Sequence, residues 1–328
     1  MARLSRAFFP ITTLLAWSSP SPSSLLLLLS RGRGPAAAFS STRHPSRTIL
    51  LQQPPRLAMS SSSEPPTTSH VASNLEVVRR TMERACADHG RSIDSVRLVA
   101  VSKTQPASAI LEAYTRGRHR HFGENYVQEL VEKAAGLPED ISWHFIGPLQ
   151  SNKAALLVKS VVPRCASLTV ETVATMKLAT KLNAAMESII VDDDDTNDNN
   201  NNTKQPQRLN VFLQVNTSGE DTKSGVPPTT EALVELIQEI RETCPRLFVK
   251  GLMTIGKAGD VACLDALRNL RDSVGSELEL EGEETLELSM GMSGDYVEAI
   301  AAGSTNVRVG STIFGERDYS FKKENDKM

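Results

Sequence analysis

The chain has 328 residues, a formal charge of −3 and four cysteines. An acidic balance argues against nucleic acid or an anionic membrane as the main partner. Cys86, Cys165, Cys244 and Cys263 are scattered without CxxC spacing, so reduced, buried or incidental thiols are expected, with no disulfide frame and no zinc site.

Residues 1–63 contain seven arginines, abundant serine and no Asp, Glu or Lys. That composition suits an organelle transit peptide, for mitochondrion or plastid, rather than part of a fold. A secretory signal fits less well, because the arginines are late and repeated. The run 25–29 is far shorter than the roughly 20 apolar residues that span a bilayer. A shorter cytoplasmic product starting at Met59 is the alternative. Without this leader and its seven positive charges the net charge becomes −10. Residues 64–69 read as a linker, and the remaining stretch of about 250 residues has the usual size of one barrel domain.

Residues 71–89 read as an amphipathic helix, with Val71, Leu75, Val78, Met82 and Ala85 at helical spacing. From residue 96 onward, short apolar strands alternate with helical segments. Strands are expected at 96–103, 119–123, 143–147, 165–168, 209–216, 249–255, 286–290 and 306–314. Helices are expected at 107–116, 125–135, 170–186, 229–243 and 261–274. Eight alternating units favour a closed (β/α)8 TIM-type barrel over an open sheet. No GxGxxG follows the first strand, which weakens a dinucleotide-binding reading.

Lys103 ends the first strand. At that tip a lysine faces a barrel mouth, where desolvation lowers its pKa and leaves an amine that attacks carbonyls. Such chemistry includes a Schiff base with pyridoxal 5′-phosphate. Taken alone, Lys103 is more often an ordinary surface lysine. The balance shifts with two later segments. Leu286 to Asp295 reads as a strand running into a helix start, with Ser293 as the N-cap of a helix over 296–302. Asn306 to Gly315 reads as a strand followed by a small-residue turn, in which Gly310, Ser311 and Thr312 can aim donors at an anion. Two consecutive strand ends offering phosphate donors match the phosphate site after the last strands of such a barrel.

Other constellations carry less. His119, His121 and Glu124 resemble metal ligands in spacing, but strand alternation with a helix-capping acid explains them better. The loop 218–225 lacks phosphate-loop spacing, although Lys223 could reach a ligand. Met290 and Met292 read as packing at the mouth. The Asp/Asn-rich run 192–207 cannot bury apolar surface and is expected to be disordered, on the face opposite the site.

Six motifs carry a resemblance: Leu98-Val99-Ala100-Val101-Ser102-Lys103-Thr104, Phe122-Gly123-Glu124-Asn125-Tyr126-Val127-Gln128-Glu129, Trp143-His144-Phe145-Ile146-Gly147-Pro148-Leu149-Gln150, Gly251-Leu252-Met253-Thr254-Ile255, Leu288-Ser289-Met290-Gly291-Met292-Ser293 and Val307 through Gly315. Together they resemble the pyridoxal phosphate homeostasis protein family, over residues 74–320. The resemblance implies a single barrel (70–320, with a tail at 321–328) like the N-terminal domain of alanine racemase. It implies pyridoxal 5′-phosphate joined to Lys103 as an aldimine, Arg308 facing the pyridine nitrogen, and Ser293, Gly310, Ser311 and Thr312 cradling the phosphate. Asn125 and His144 are implied as pocket lining. Gln105 departs from the pattern, since many relatives carry a second lysine two positions after the first.

An arginine opposite the ring nitrogen disfavours a pyridinium and mutes carbanion chemistry. The segment 316–328 is too short to build the second domain of alanine racemases. The expected function is therefore intracellular buffering or delivery of the cofactor to pyridoxal phosphate-dependent apoenzymes, by a monomer without robust turnover. A racemase-like enzyme is the alternative.

Overall fold

The computed structural model describes residues 70–194, 208–220, 224–257 and 259–315. The leader 1–63, the linker 64–69, the stretch 195–207, Lys223 and the tail lie outside the described residues.

Eight parallel strands close into one barrel in sequence order, the last pairing with the first. They are β1 (Arg97–Val101), β2 (His121–Glu124), β3 (Ser142–Phe145), β4 (Ser167–Val173), β5 (Leu209–Gln214), β6 (Leu247–Met253), β7 (Glu287–Ser289) and β8 (Asn306–Val309). Helix α1 (Val71–Asp88) precedes the barrel. Between strands run α2 (Ala107–Thr115), α3 (Val127–Gly136), α4 (Ala154–Val161), α5 (Met176–Asp194), α6 (Thr230–Thr243), α7 (Val261–Glu277) and α8 (Tyr296–Ala301), and α9 (Ser311–Phe314) follows β8. None of the described helices is long and apolar enough to cross a membrane.

Period-two alternation sorts the strand residues onto two faces. Leu98, Ala100, Phe122, Trp143, Phe145, Val211 and Leu213 pack outward into one continuous core with the helices. Trp143, Phe122 and Phe145 are fully buried there, and each burial stabilises the fold by about 1.5–3 kcal/mol. Helix α1 adds Val71, Leu75, Val78, Met82 and Ala85 to the same core, the face its spacing predicts. The opposite face of the strands is unusually polar. Arg308 lies beside Val99, and His144 beside Gly123 and Thr169, on the inward side.

Several expected boundaries shift. Residues 170–173 belong to β4 and not to a helix, because Thr169, Val170, Thr172 and Val173 are β-branched, and Thr169, Val170 and Val173 pair with the neighbouring strands. The last strand stops at Val309, where Gly310 turns the chain into α9. Helix α5 runs to Asp194, so residues 192–194 extend a helix although they were expected in the disordered run. The four cysteines are free thiols.

Candidate functional site

Lys103 stands two residues past the end of β1, partly buried at the C-terminal mouth of the barrel. Ser102 continues the ladder by donating its N–H to the Gly123 carbonyl. Beyond Lys103 the chain turns sharply: Thr104 takes φ 61°, and the Gln105 N–H closes back on the Ser102 carbonyl at 3.0 Å.

Strand β8 lies directly beside β1, with Val309 level with Ala100. Gly310 therefore passes close to Val101, and a Cβ at Gly310 would lie 3.2 Å from the Val101 carbonyl oxygen. Ser311 and Thr312 follow, exposed at the mouth, as the first turn of α9. N–H groups in a helix's first turn have no intrahelical acceptor. Ser293 comes to the same turn from the segment after β7. It does not cap α8, whose N-cap is Asp295, a residue that instead accepts from the Met292 N–H at 2.6 Å. The Ser293 hydroxyl oxygen accepts from the Gly310 N–H at 3.0 Å, which leaves its own O–H proton for another acceptor. Thus Lys103, Ser293, Gly310, Ser311 and Thr312 converge on adjoining strand ends.

Arg308 and His144 lie deeper, linked across the barrel interior. Arg308 donates to Ser289 Oγ and to the Thr254 carbonyl, both at 2.6 Å. Ser289 Oγ donates to Glu171 Oε2 at 2.5 Å, and Asn306 Nδ2 donates to Glu171 Oε1 at 3.1 Å. His144 Nδ1 meets Glu171 Oε1 at 2.6 Å, and its Nε2 lies 3.2 Å from His121 Nδ1. Burial opposes the charge on Glu171, but the His144 and Ser289 hydrogen bonds and the Arg308 charge hold its carboxyl below the usual value. Burial lowers the Arg308 guanidinium, against the attraction of Glu171 and Asp295. Burial also pushes His121 down to about 3, aided by His144 and Arg97, so it is neutral at physiological pH. Asn125 follows β2, and its Oδ1 is buried without a hydrogen-bond partner.

The strand spacing of His119, His121 and Glu124 leads to three separate fates. His119 accepts from Arg79 at 3.3 Å and donates to the His121 carbonyl at 2.8 Å; His121 faces His144; Glu124 caps no helix and instead pairs with Lys133 at 2.7 Å. Met290 is fully buried, as packing requires.

Glu171, Ser289, Asn306 and Thr254 escaped the sequence reading. The signal for Glu171 was a lone carboxylate at alternating spacing within a β-branched run, masked by the assignment of that run to a helix. The cluster of Glu124, Glu129 and Lys133 was also missed, although Glu129 and Lys133 stand four apart on α3.

These residues suit an anionic, aldehyde-bearing cofactor. Gly310 packs closely on Val101 and turns the chain at the mouth, Ser293, Ser311 and Thr312 supply hydroxyls, and Lys103 supplies the amine. Pyridoxal 5′-phosphate supplies an aldehyde for a lysine and a phosphate for such a cradle.

The barrel is of the alanine racemase N-terminal type. The family model for "Alanine racemase, N-terminal domain" matches residues 68–318. An alanine racemase from Clostridium difficile shares the fold, with a TM-score of 0.54 at 14% identity over 76% of this chain and 58% of its own. Nearer in sequence is the human pyridoxal phosphate homeostasis protein, 42% identical over 270 residues, which are 78% of this chain and 90% of that protein. PipY from Synechococcus elongatus, solved without PLP, is 30% identical with a TM-score of 0.59, covering 75% of this chain and 100% of its own. The same protein solved with PLP bound gives a TM-score of 0.54 over 72% of this chain and 100% of its own. The chain belongs to the pyridoxal phosphate homeostasis protein family.

Proposed function

We propose that this protein binds pyridoxal 5′-phosphate through Lys103 and buffers or delivers it within the cell, without robust catalytic turnover. The convergence of Lys103 with the Gly310–Thr312 turn on neighbouring strands β1 and β8 carries this reading. The name of the human relative and the PLP-bound state of PipY support it. In this reading Ser293, Gly310, Ser311 and Thr312 hold the phosphate, Asn125 lines the pocket, and Arg308 faces the pyridine nitrogen. His144 acts from beneath through Glu171 and Ser289. Arg308 stays charged, and a positive neighbour disfavours protonation of the ring nitrogen. The partners are the cofactor and pyridoxal phosphate-dependent apoenzymes, not nucleic acid, and the working unit is a monomer.

Residues 1–63 are proposed as a targeting segment for mitochondrion or plastid, with 64–69 as a linker ahead of the barrel domain at 70–320 and a tail at 321–328.

Mixing holo-protein with an apoenzyme tests delivery, and incubation with alanine or serine in deuterated water tests turnover. The apoenzyme should gain activity, and Cα exchange should stay negligible. Exchange at rates typical of enzymes, about 1–1,000 per second, would return the protein to the racemase class.

A further inference from the structure

We propose that Glu129 and Lys133, on helix α3 behind the barrel wall, are positioning residues for Lys103. The inference deepens the cofactor reading above and rests on it.

Thr104, the residue after Lys103, holds φ 61°. For a β-branched side chain this left-handed conformation is strained and persists only where surrounding groups impose it. The imposing group is Glu129, whose Oε1 accepts the Thr104 N–H at 2.6 Å. That same oxygen accepts from Lys133 Nζ at 2.7 Å. Lys133 then reaches the residue on the other side of Lys103, donating to the Ser102 carbonyl at 2.8 Å, and to Glu124 Oε1 at 2.7 Å. The Ser102 hydroxyl donates to the same Glu124 oxygen at 2.6 Å. An ammonium has three donors, and here all three are engaged. Main-chain groups flanking Lys103 on both sides are thus tied to one buried cation.

Stability alone is a poor reason for this arrangement. Buried ion clusters are often no more stable than apolar packing of the same volume. Glu124 Oε2 is buried without a partner, and burial pushes the Glu124 carboxyl up to about 7 against the pull of Lys133. A strained turn, an excess of buried carboxylate and a fully engaged lysine all sit at the backbone of one residue, Lys103. The arrangement fixes where its side chain leaves the strand end.

The test measures how fast the Lys103 amine condenses with the aldehyde of pyridoxal 5′-phosphate, losing one water. Full-length protein is mixed with the cofactor, quenched with borohydride at set times and mapped by mass spectrometry. Pyridoxine 5′-phosphate, which has no aldehyde, reports binding separately by titration. Glu129→Ala should slow labelling of Lys103 by about tenfold or more, as Thr104 relaxes out of its strained conformation. Affinity for pyridoxine 5′-phosphate should stay unchanged. Adding Thr104→Gly to Glu129→Ala should recover much of the lost rate, because glycine takes this φ without strain. Should Glu129→Ala not fold, Glu129→Gln keeps an acceptor for Thr104 but loses the charge facing Lys133, with an expected slowing of about threefold. Wild-type labelling rates in the variants, or an equal loss of affinity for pyridoxine 5′-phosphate, would overturn the proposal. Failure of the unaltered protein to label at Lys103 would instead remove the cofactor reading beneath it.

Discussion

Both oxygens of Glu171 are engaged within the barrel, by His144, Asn306 and Ser289, and Ser289 in turn receives Arg308. Removing this carboxylate takes a coulombic partner from buried Arg308 and a hydrogen-bond partner from buried His144, Asn306 and Ser289. Glu171→Ala should therefore destabilise the fold by about 3–5 kcal/mol, read by denaturant unfolding, and Glu171→Gln by less. At His119, burial and the Arg79 charge hold the ring near 3, against an ordinary 6.5. A depressed histidine favours folding in its neutral form, so its contribution is complete above about pH 6.5 and is lost as pH falls toward 3. Stability should drop on acidification with a slope of up to about 1.4 kcal/mol per pH unit from this residue, and His119→Gln should flatten that drop. Glu124 works in the opposite sense. Its raised value, about 7 against 4.5, gives a contribution present at low pH and lost as pH rises through 7. Glu124→Gln should remove that rise-linked loss. Gly147 is fixed by space: a Cβ there would lie 2.1 Å from the Asn125 backbone oxygen. Gly147→Ala should cost about 1–3 kcal/mol and displace Asn125, measured as a lower melting temperature.

Among the elements, the strand-end residues were legible because strand and turn chemistry are local. The placement of Lys103 after an apolar run, and of Gly310-Ser311-Thr312 after another, could be read from the pattern around each, whereas a shared role needed the segments taken together. Deeper in the barrel, Arg308 and His144 came only through the family resemblance, and the network that joins them was not legible. Glu171 meets Ser289 and Asn306 through contacts 118 and 135 residues apart in sequence, and no window of residues reveals such pairs. The β4 segment shows the failure most directly: Val170 to Val173 fits a helical pattern until neighbours β3 and β5 claim it as a strand. Ser293 failed as a cap for a similar reason, since the Gly310 N–H that recruits its oxygen comes from the next strand. One element-scale prediction concerns the connection between α5, ending at Asp194, and β5, starting at Leu209. The end of α5 and the start of β5 lie at the end of the barrel opposite Lys103. Loop closure depends weakly on length, about 0.6 kcal/mol per doubling. Deleting residues 195–207 and joining the ends with a short Gly/Ser linker should leave the melting temperature and cofactor uptake nearly unchanged, as checked by thermal melting and cofactor titration.

At the scale of the whole molecule, eight βα units and their closure into a barrel followed from alternation alone, because periodicity repeated eight times outweighs any single boundary error. A body beginning near residue 69 should fold and take up cofactor like the full chain, read by melting temperature and titration. At this scale the proposal is that the barrel holds pyridoxal 5′-phosphate on Lys103. Its most direct test is the visible absorption spectrum of the loaded protein before and after borohydride reduction, with mass-spectrometric mapping of the reduced group. A reducible chromophore and a pyridoxyl group on Lys103 are expected, with loss of both in Lys103→Ala. A protein with no such chromophore, or one whose reduced group maps to another lysine such as Lys223, would overturn this.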